Sequence, residues 1–145
     1  MSDFYLPEGL PLPNVADPLS APYWEAARQG RLRIQKCRGC GAWQWGPEWI
    51  CFRCHSFDLT WEEVAGQGRI YSYQRPHHPV HPALNGHGPY IAVLVELPHA
   101  GNVRMVGNLL GDPRQEVRIG AAVQAVFEHH EHADPPFTLA QWRVV

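Results

Sequence analysis

The chain is 145 residues long, 45% hydrophobic, and carries a formal net charge of −2. That length holds one domain with a small appendage, or two small units sharing an interface, and the slight acidity excludes a chain that binds nucleic acid as a polycation. No apolar run approaches a membrane span and the N-terminus lacks the basic and apolar regions of a signal peptide, so the expected compartment is the cytoplasm.

Fourteen prolines and thirteen glycines, with no long helical run, point to a mainly β body. Residues 1–19 contain Pro7, Pro11, Pro13 and Pro18, yet Phe4, Tyr5, Leu6, Leu10, Leu12, Val15 and Leu19 make them too apolar for a solvated tail. The leader reads as an extended arm laid on a surface, its own or a partner's. Residues 20–30 read as one short helix, with Ser20 or Ala21 at the cap, Pro22 in the first turn and Gly30 past the end. Tyr23, Ala26 and Ala27 share one face. A helix of about two turns is not stable alone, so Tyr23 and Trp24 are its expected anchors, on this chain or on a partner.

Leu32 to Lys36 alternates apolar and polar residues, as a strand does. It runs into Cys37-Arg38-Gly39-Cys40, and Cys51-Phe52-Arg53-Cys54 follows. These are all four cysteines of the chain, in two C-x-x-C pairs. Each pair needs a tight turn that aims both sulfurs at one ion, and Gly39 and Gly41 suit it. The spacing is that of a zinc ribbon, with Cys37, Cys40, Cys51 and Cys54 as a structural tetrahedral shell. Iron of the rubredoxin type is the other metal this ligand set holds. Trp43, Trp45 and Trp49 read as cover for the metal site, or as a stacking platform for bases. From Arg28 to Arg53 the chain carries six bases and one acid, Glu48. This basic segment suits a phosphate-bearing small molecule or a short polyanion contact.

Downstream, strands are expected over residues 59–64, 69–75, 91–97, 103–110, 122–128 and 137–144, with turns at 65–68 and 98–102. About five of them with one long early loop fit a small closed barrel. The loop from Pro76 to Pro89 carries His77, His78, His81 and His87. A loop so rich in Pro and Gly does not fix ligand spacing, and it reads as a binding edge or partner contact. His129, His130 and His132 read as part of a solvated turn, and Glu62, Glu63 and Glu96 as ordinary strand or edge charges. No Ser or Cys nucleophile has an evident base, and there is no Walker or dinucleotide phosphate loop.

The order of these features resembles the DUF35 family. The residues that carry it are Tyr23-Trp24-Glu25-Ala26, Gly30-Arg31-Leu32, Gln35 to Gly41, Pro47, Cys51 to Cys54, Trp61 to Gly66, Gly68 to Tyr73, His81-Pro82-Ala83, Val95-Glu96-Leu97, Gly107-Asn108-Leu109 and Arg118-Ile119-Gly120. The resemblance, which spans about residues 20–128, implies a rubredoxin-like zinc ribbon (31–60) and a C-terminal five-stranded OB-fold barrel (61–145), behind the N-terminal arm and helix (1–30). It also implies a non-catalytic accessory subunit of a thiolase-superfamily enzyme: a ketothiolase, steroid side-chain aldolase or acyltransferase acting on CoA thioesters, sometimes alongside a MaoC-type enoyl-CoA hydratase. On that reading acyl-CoA is the ligand, and Arg31, Arg33, Lys36, Arg38 and Arg53 are candidates for its phosphates. Arginine's fork matches such groups, and eleven of the twelve bases are arginine. Tyr23, Trp24, His77, His78 and His81 are candidates for docking on the partner. The other reading is a nucleic-acid-binding zinc-ribbon and OB module, against which stand the net charge and the few bases on the barrel strands.

Overall fold

A computed structural model describes residues 4–145; the first three residues of the expected arm lie outside the described ones. The single α-helix, α1 (Ala21–Arg28), has Pro22 in its first turn. Ser20 stands at its N-cap, but its side chain makes no capping bond. The Asp17 carbonyl instead accepts from the Ser20 and Ala21 amides, and the Ser20 carbonyl from those of Tyr23 and Trp24. The far end is a Schellman motif. Gly30 sits at φ 72°, its N–H reaches Ala27 O, and Arg31 N–H reaches Ala26 O, both at 2.9 Å.

The ribbon sheet has three strands: β1 (Leu32–Cys37) lies between β2 (Trp43–Gln44) and β3 (Leu59–Val64), antiparallel to both. The expected border at 60/61 falls inside β3, which pairs with β1 along its whole length. The five barrel strands are β4 (Gln67–Gln74), β5 (Ala92–Leu97), β6 (Val103–Asn108), β7 (Ala122–His130) and β8 (Phe137–Val144). Their order is β6-β5-β4-β7-β8, and a parallel bridge between Leu109 and Trp142 joins the two ends. This is the closure of the five-stranded OB barrel. The 76–89 loop contains one 3-10 turn, Pro82–Leu84.

Glycine is required where strands cross closely. A Cβ on Gly107 would lie 2.7 Å from Trp142 Cδ1 and 2.9 Å from Ala140 O, and one on Gly68 would lie 2.5 Å from Val95 Cγ1. Trp142 is fully buried, and its indole N–H is the one buried side-chain polar atom without a partner among the described residues. One apolar core runs through the whole molecule. It takes Tyr23 from α1, Leu32 and Ile34 from β1, and Ile70, Ile91, Val93, Val95, Leu97, Met105, Leu109, Val123 and Trp142 from the barrel. The helix and the inward face of β1 therefore plug the barrel. The ribbon has only Cys37, Ala42 and Cys51 as a second, separate cluster, with Leu59 against it.

Two expectations about charges and turns are corrected. His129 and His130 belong to β7, because their pairing with Thr138 and Phe137 extends the hairpin. Glu96 is 5% exposed and sits between two cations. Arg69 and Arg104 face it from β4 and β6 in register, Arg69 Nε at 2.9 Å and Arg104 Nε at 3.1 Å. The Arg69 hydrogen bond, with that of Arg104, holds the Glu96 carboxyl below the usual glutamate value.

Two outcomes are expected. Gly107→Ala should destabilise the chain by about 1–3 kcal/mol, since the crossing strand has no room for a methyl; denaturant unfolding measures it. Glu96 binds its proton less readily folded than unfolded, so its stabilisation is complete above the unfolded-state pKa and is lost as pH falls through the lower folded-state value. The melting difference between zinc-loaded wild type and Glu96→Gln should therefore be largest at neutral pH and close in acid. A difference that widens in acid contradicts the ladder.

Candidate metal centre and its surroundings

The two cysteine pairs adopt the same turn. Gly41 N–H donates to Cys37 O at 2.9 Å, and His55 N–H donates to Cys51 O at 3.0 Å. Each donor residue has positive φ, 77° at Gly41 and 62° at His55. The left-handed position thus falls on Gly41, as the turn requires, whereas Gly39 has an ordinary backbone. His55 takes the equivalent place in the second turn despite its side chain. Each pair is closed further on, by Cys37 N–H to Ala42 O at 2.8 Å and Cys51 N–H to Ser56 O at 2.9 Å.

These turns bring the four Sγ atoms within 4.8 Å of one another. Cys37 and Cys54 sulfurs are 3.5 Å apart, and those of Cys40 and Cys51 3.7 Å. Tetrahedral zinc with its usual bonds to sulfur needs sulfurs about 3.8 Å apart. No pair is bonded as a disulfide. The geometry and the all-sulfur donor set fit structural zinc, and four sulfurs close its shell.

The thiols themselves report the crowding. N–H groups of Cys54 and Arg53 draw Cys51 down to about 6, and the Cys40 N–H leads in lowering Cys37. The Ser56 N–H also lowers Cys54, but the neighbouring sulfurs, Cys37 first, outweigh it and push that thiol up to about 12. Four thiols this close cannot all ionise until a cation sits among them.

A pair of buried amides holds the second turn against the first. Gln35 Oε1 accepts from Gln44 Nε2 and Glu48 N, each at 3.0 Å, and Gln35 Nε2 donates to Glu48 O at 3.0 Å. Gln44 also donates to Ile50 O and accepts from Phe52 N at 3.1 Å. Sequence reasoning missed both residues. The signal was present as two glutamines at inward positions of paired strands.

The candidate phosphate-binding bases do not form one patch. Arg31 pairs with Glu63 at 3.1 Å and also with Gln29. Arg38 lies 3.8 Å from Asp58. Lys36 points from the other face of β1 and stacks its ammonium 4.8 Å from the Trp43 ring. Arg33 and Arg53 have no side-chain partner among the described residues. Of the candidate docking residues, Tyr23 is not available. It is buried in the chain's own core, edge-on to Trp45 at 4.7 Å, and burial pushes its hydroxyl up to about 12. Trp24 packs half-buried against the same core. His77 and His78 are exposed, and His81 caps the 3-10 turn by accepting from Ala83 N at 3.1 Å. Among the described residues the four cysteines are the only metal-ligating cluster. The aromatics separate as well. Trp43 and Trp45 pack on the core, whereas Trp49, Ile50, Phe52 and Phe57 stand exposed on the ribbon.

A four-cysteine ribbon docked on an OB barrel defines the class. Residues 24–60 match the family "ChsH2, rubredoxin-like zinc ribbon domain", and residues 61–128 match "ChsH2, C-terminal OB-fold domain". The chain belongs to this ChsH2-type DUF35 family. The DUF35 chain of a structure titled Ltp2-ChsH2(DUF35) aldolase is 38% identical and superposes with a TM-score of 0.75 over 93% of this chain and 98% of that one. A DUF35 protein of Sulfolobus solfataricus shares the fold at 16% identity, with a TM-score of 0.60 over 89% and 87% of the two chains. A probable enoyl-CoA hydratase alpha subunit of Thermomonospora curvata is 42% identical over 121 residues, 83% of this chain. A 3-oxo-4,17-pregnadiene-20-carboxyl-CoA hydratase alpha subunit of Mycobacterium tuberculosis is 29% identical over 105 residues, 72% of this chain. The chain spans only about a third of the length of these two subunits, 36% and 32%. "Hydratase" there describes the relatives' own subunits, not a separate partner. No helix among the described residues is long and apolar enough to cross a membrane.

Elemental analysis of the purified chain should find one zinc per chain and no stoichiometric iron. Cys51→Ser should lose that metal and melt well below wild type, because the ribbon has almost no other core. Retention of metal and melting temperature by the variant would remove Cys51 from the shell.

Proposed function

We propose that this chain is a non-catalytic accessory subunit that docks on a thiolase-like enzyme acting on CoA thioesters and helps to hold the acyl-CoA. The observation that carries the reading is the match to the DUF35 chain of the Ltp2-ChsH2(DUF35) aldolase, which covers nearly the whole of both chains. The names of the two hydratase relatives add CoA thioesters as the substrate class, one of them a steroid acyl group.

Three features of the site support it. Four sulfurs complete the zinc shell and leave no position for a substrate, which suits a structural metal. The ribbon presents Trp49, Phe52 and Phe57, at 62%, 65% and 79% exposure, on one short stretch of chain. Aromatic residues are enriched at protein interfaces. Arg33 and Arg53 offer guanidinium groups free of acidic partners for a phosphate or pyrophosphate. The partner supplies the nucleophile and base, and this subunit supplies a rigid docking face and charge for the CoA end.

Co-expression with a thiolase-like protein encoded beside this chain tests the proposal. A stable complex on size exclusion is expected, with acyl-CoA cleavage that neither protein shows alone. Trp49→Ala with Phe52→Ala should break the complex while leaving zinc content intact. Arg33→Ala with Arg53→Ala should keep the complex and raise KM for the CoA thioester. Failure to co-purify, together with no CoA binding in the presence of the partner, overturns the reading.

A further inference from the structure

A second candidate site lies between the leader and the β7–β8 hairpin. The leader follows the barrel wall closely. Tyr5 Oη accepts from Ile91 N at 2.9 Å, and Tyr5 N donates to Glu128 Oε2 at 3.2 Å. Phe4 stacks on His130 with ring centroids 3.8 Å apart, and His130 stacks on Phe137 at 4.4 Å. Beyond this clamp the arm does not collapse onto the hairpin. It arches over a cavity of about 480 Å³ whose apolar walls include Leu6, Leu10 and Leu12 from the arm and Phe137 and Leu139 from β8. That volume and lining are those of a small-molecule pocket, mostly hydrocarbon with a few polar groups.

The polar groups define what enters. Glu8 and Glu128 line the cavity, and no lysine or arginine does. An anionic ligand would meet these carboxylates with only the His130 and His132 rings as partners, which disfavours the phosphates of a nucleotide or a free carboxylate in this space. His130 Nε2 lies 2.7 Å from Glu128 Oε1. The carboxylate only accepts, so Nε2 carries a proton and donates it to Glu128. Among the described residues Nδ1 has no partner. Gln141, the other buried amide of the lining, is already bonded through both ends to Asn108. Two carboxylates and the imidazoles of His130 and His132 in an otherwise apolar pocket favour a neutral molecule whose hydroxyl can donate to one of these acceptors. The arm (4–13) and most of the hairpin wall also lie outside residues 24–128, which the two family descriptions match.

We propose that the arm and the β7–β8 hairpin form a binding site for a neutral, largely hydrocarbon molecule bearing a hydroxyl, which rests against the Glu128–His130 pair. The site stands apart from the ribbon surfaces invoked for partner docking, and neither reading depends on the other.

The test uses the full zinc-loaded chain and Nile red, a neutral apolar dye whose emission rises and shifts to the blue in apolar surroundings. Saturable binding of one dye per chain is expected. 1-Decanol should displace it, and decanoate, the same length with a carboxylate, should compete far more weakly. Leu10→Trp fills the cavity from the arm and should weaken dye binding about tenfold or more. Leu139→Phe fills it from the barrel side and serves if the first variant does not fold. Glu128→Gln should narrow the gap between decanol and decanoate. Dye binding that is absent, or unchanged in both folded filling variants, overturns the proposal, as does equal competition by decanoate in the wild type. Unchanged binding in the filling variants would assign the dye to the exposed ribbon aromatics.

Discussion

Four sulfurs held within a few ångströms set the terms for the rest of the molecule. Thiolates at that spacing repel one another: the sulfurs around Cys54 push its thiol up, while backbone N–H groups draw Cys51 down. A divalent ion removes the conflict and links two turns that lie eleven or more residues apart. The ribbon needs that link, because its own cluster consists of three small buried residues and a core of that size does not order a chain segment. The amide pair Gln35–Gln44 then fixes the approach of the second turn through bonds to Glu48, Ile50 and Phe52. Phe52 and Trp49 remain at the surface of this small unit.

The opposite face of β1 resolves how the ribbon is held to the barrel. Leu32 and Ile34 point into the barrel core while Gln35 and Cys37 point to the metal side. One six-residue strand therefore belongs to two structural systems. Tyr23 and Trp45 pack into the same junction, and Trp43 closes it against the β5–β6 turn, where a Cβ on Gly101 would come within 3.0 Å of the indole. Metal loss would loosen β1 on one face only. The barrel would lose its plug by degrees, which couples the metal site to the stability of the whole chain without any direct contact between zinc and barrel.

Much of this was legible in the residues themselves. The cysteine spacing, the Gly30 helix stop and the alternation in β1 are local signals, and local geometry decides them. A small closed barrel followed from strand number and the long early loop, and its five-stranded OB form from the family resemblance. What was not legible is what depends on registry between distant strands. Glu96 looks like a surface charge until Arg69 and Arg104 arrive from neighbouring strands. His129 and His130 look like a polar turn because a histidine pair carries little strand preference, and only pairing with Thr138 and Phe137 makes them β. The basic segment reads as one patch along the sequence. Strand alternation sends Lys36 to one face and Arg33 to the other, and nearby acids take Arg31 and Arg38.

That dispersal changes what the arginines can do. Four thiolates on a divalent ion leave two negative charges at the surface of the ribbon. Arg53 lies inside the second cysteine pair, with its backbone N–H 3.4 Å from Cys51 Sγ, and Arg38 lies inside the first. Part of the basic segment therefore compensates the metal site and is not wholly free for a ligand. Arg33 has no such duty, and it stands on the same face of β1 as the metal-binding end of the strand.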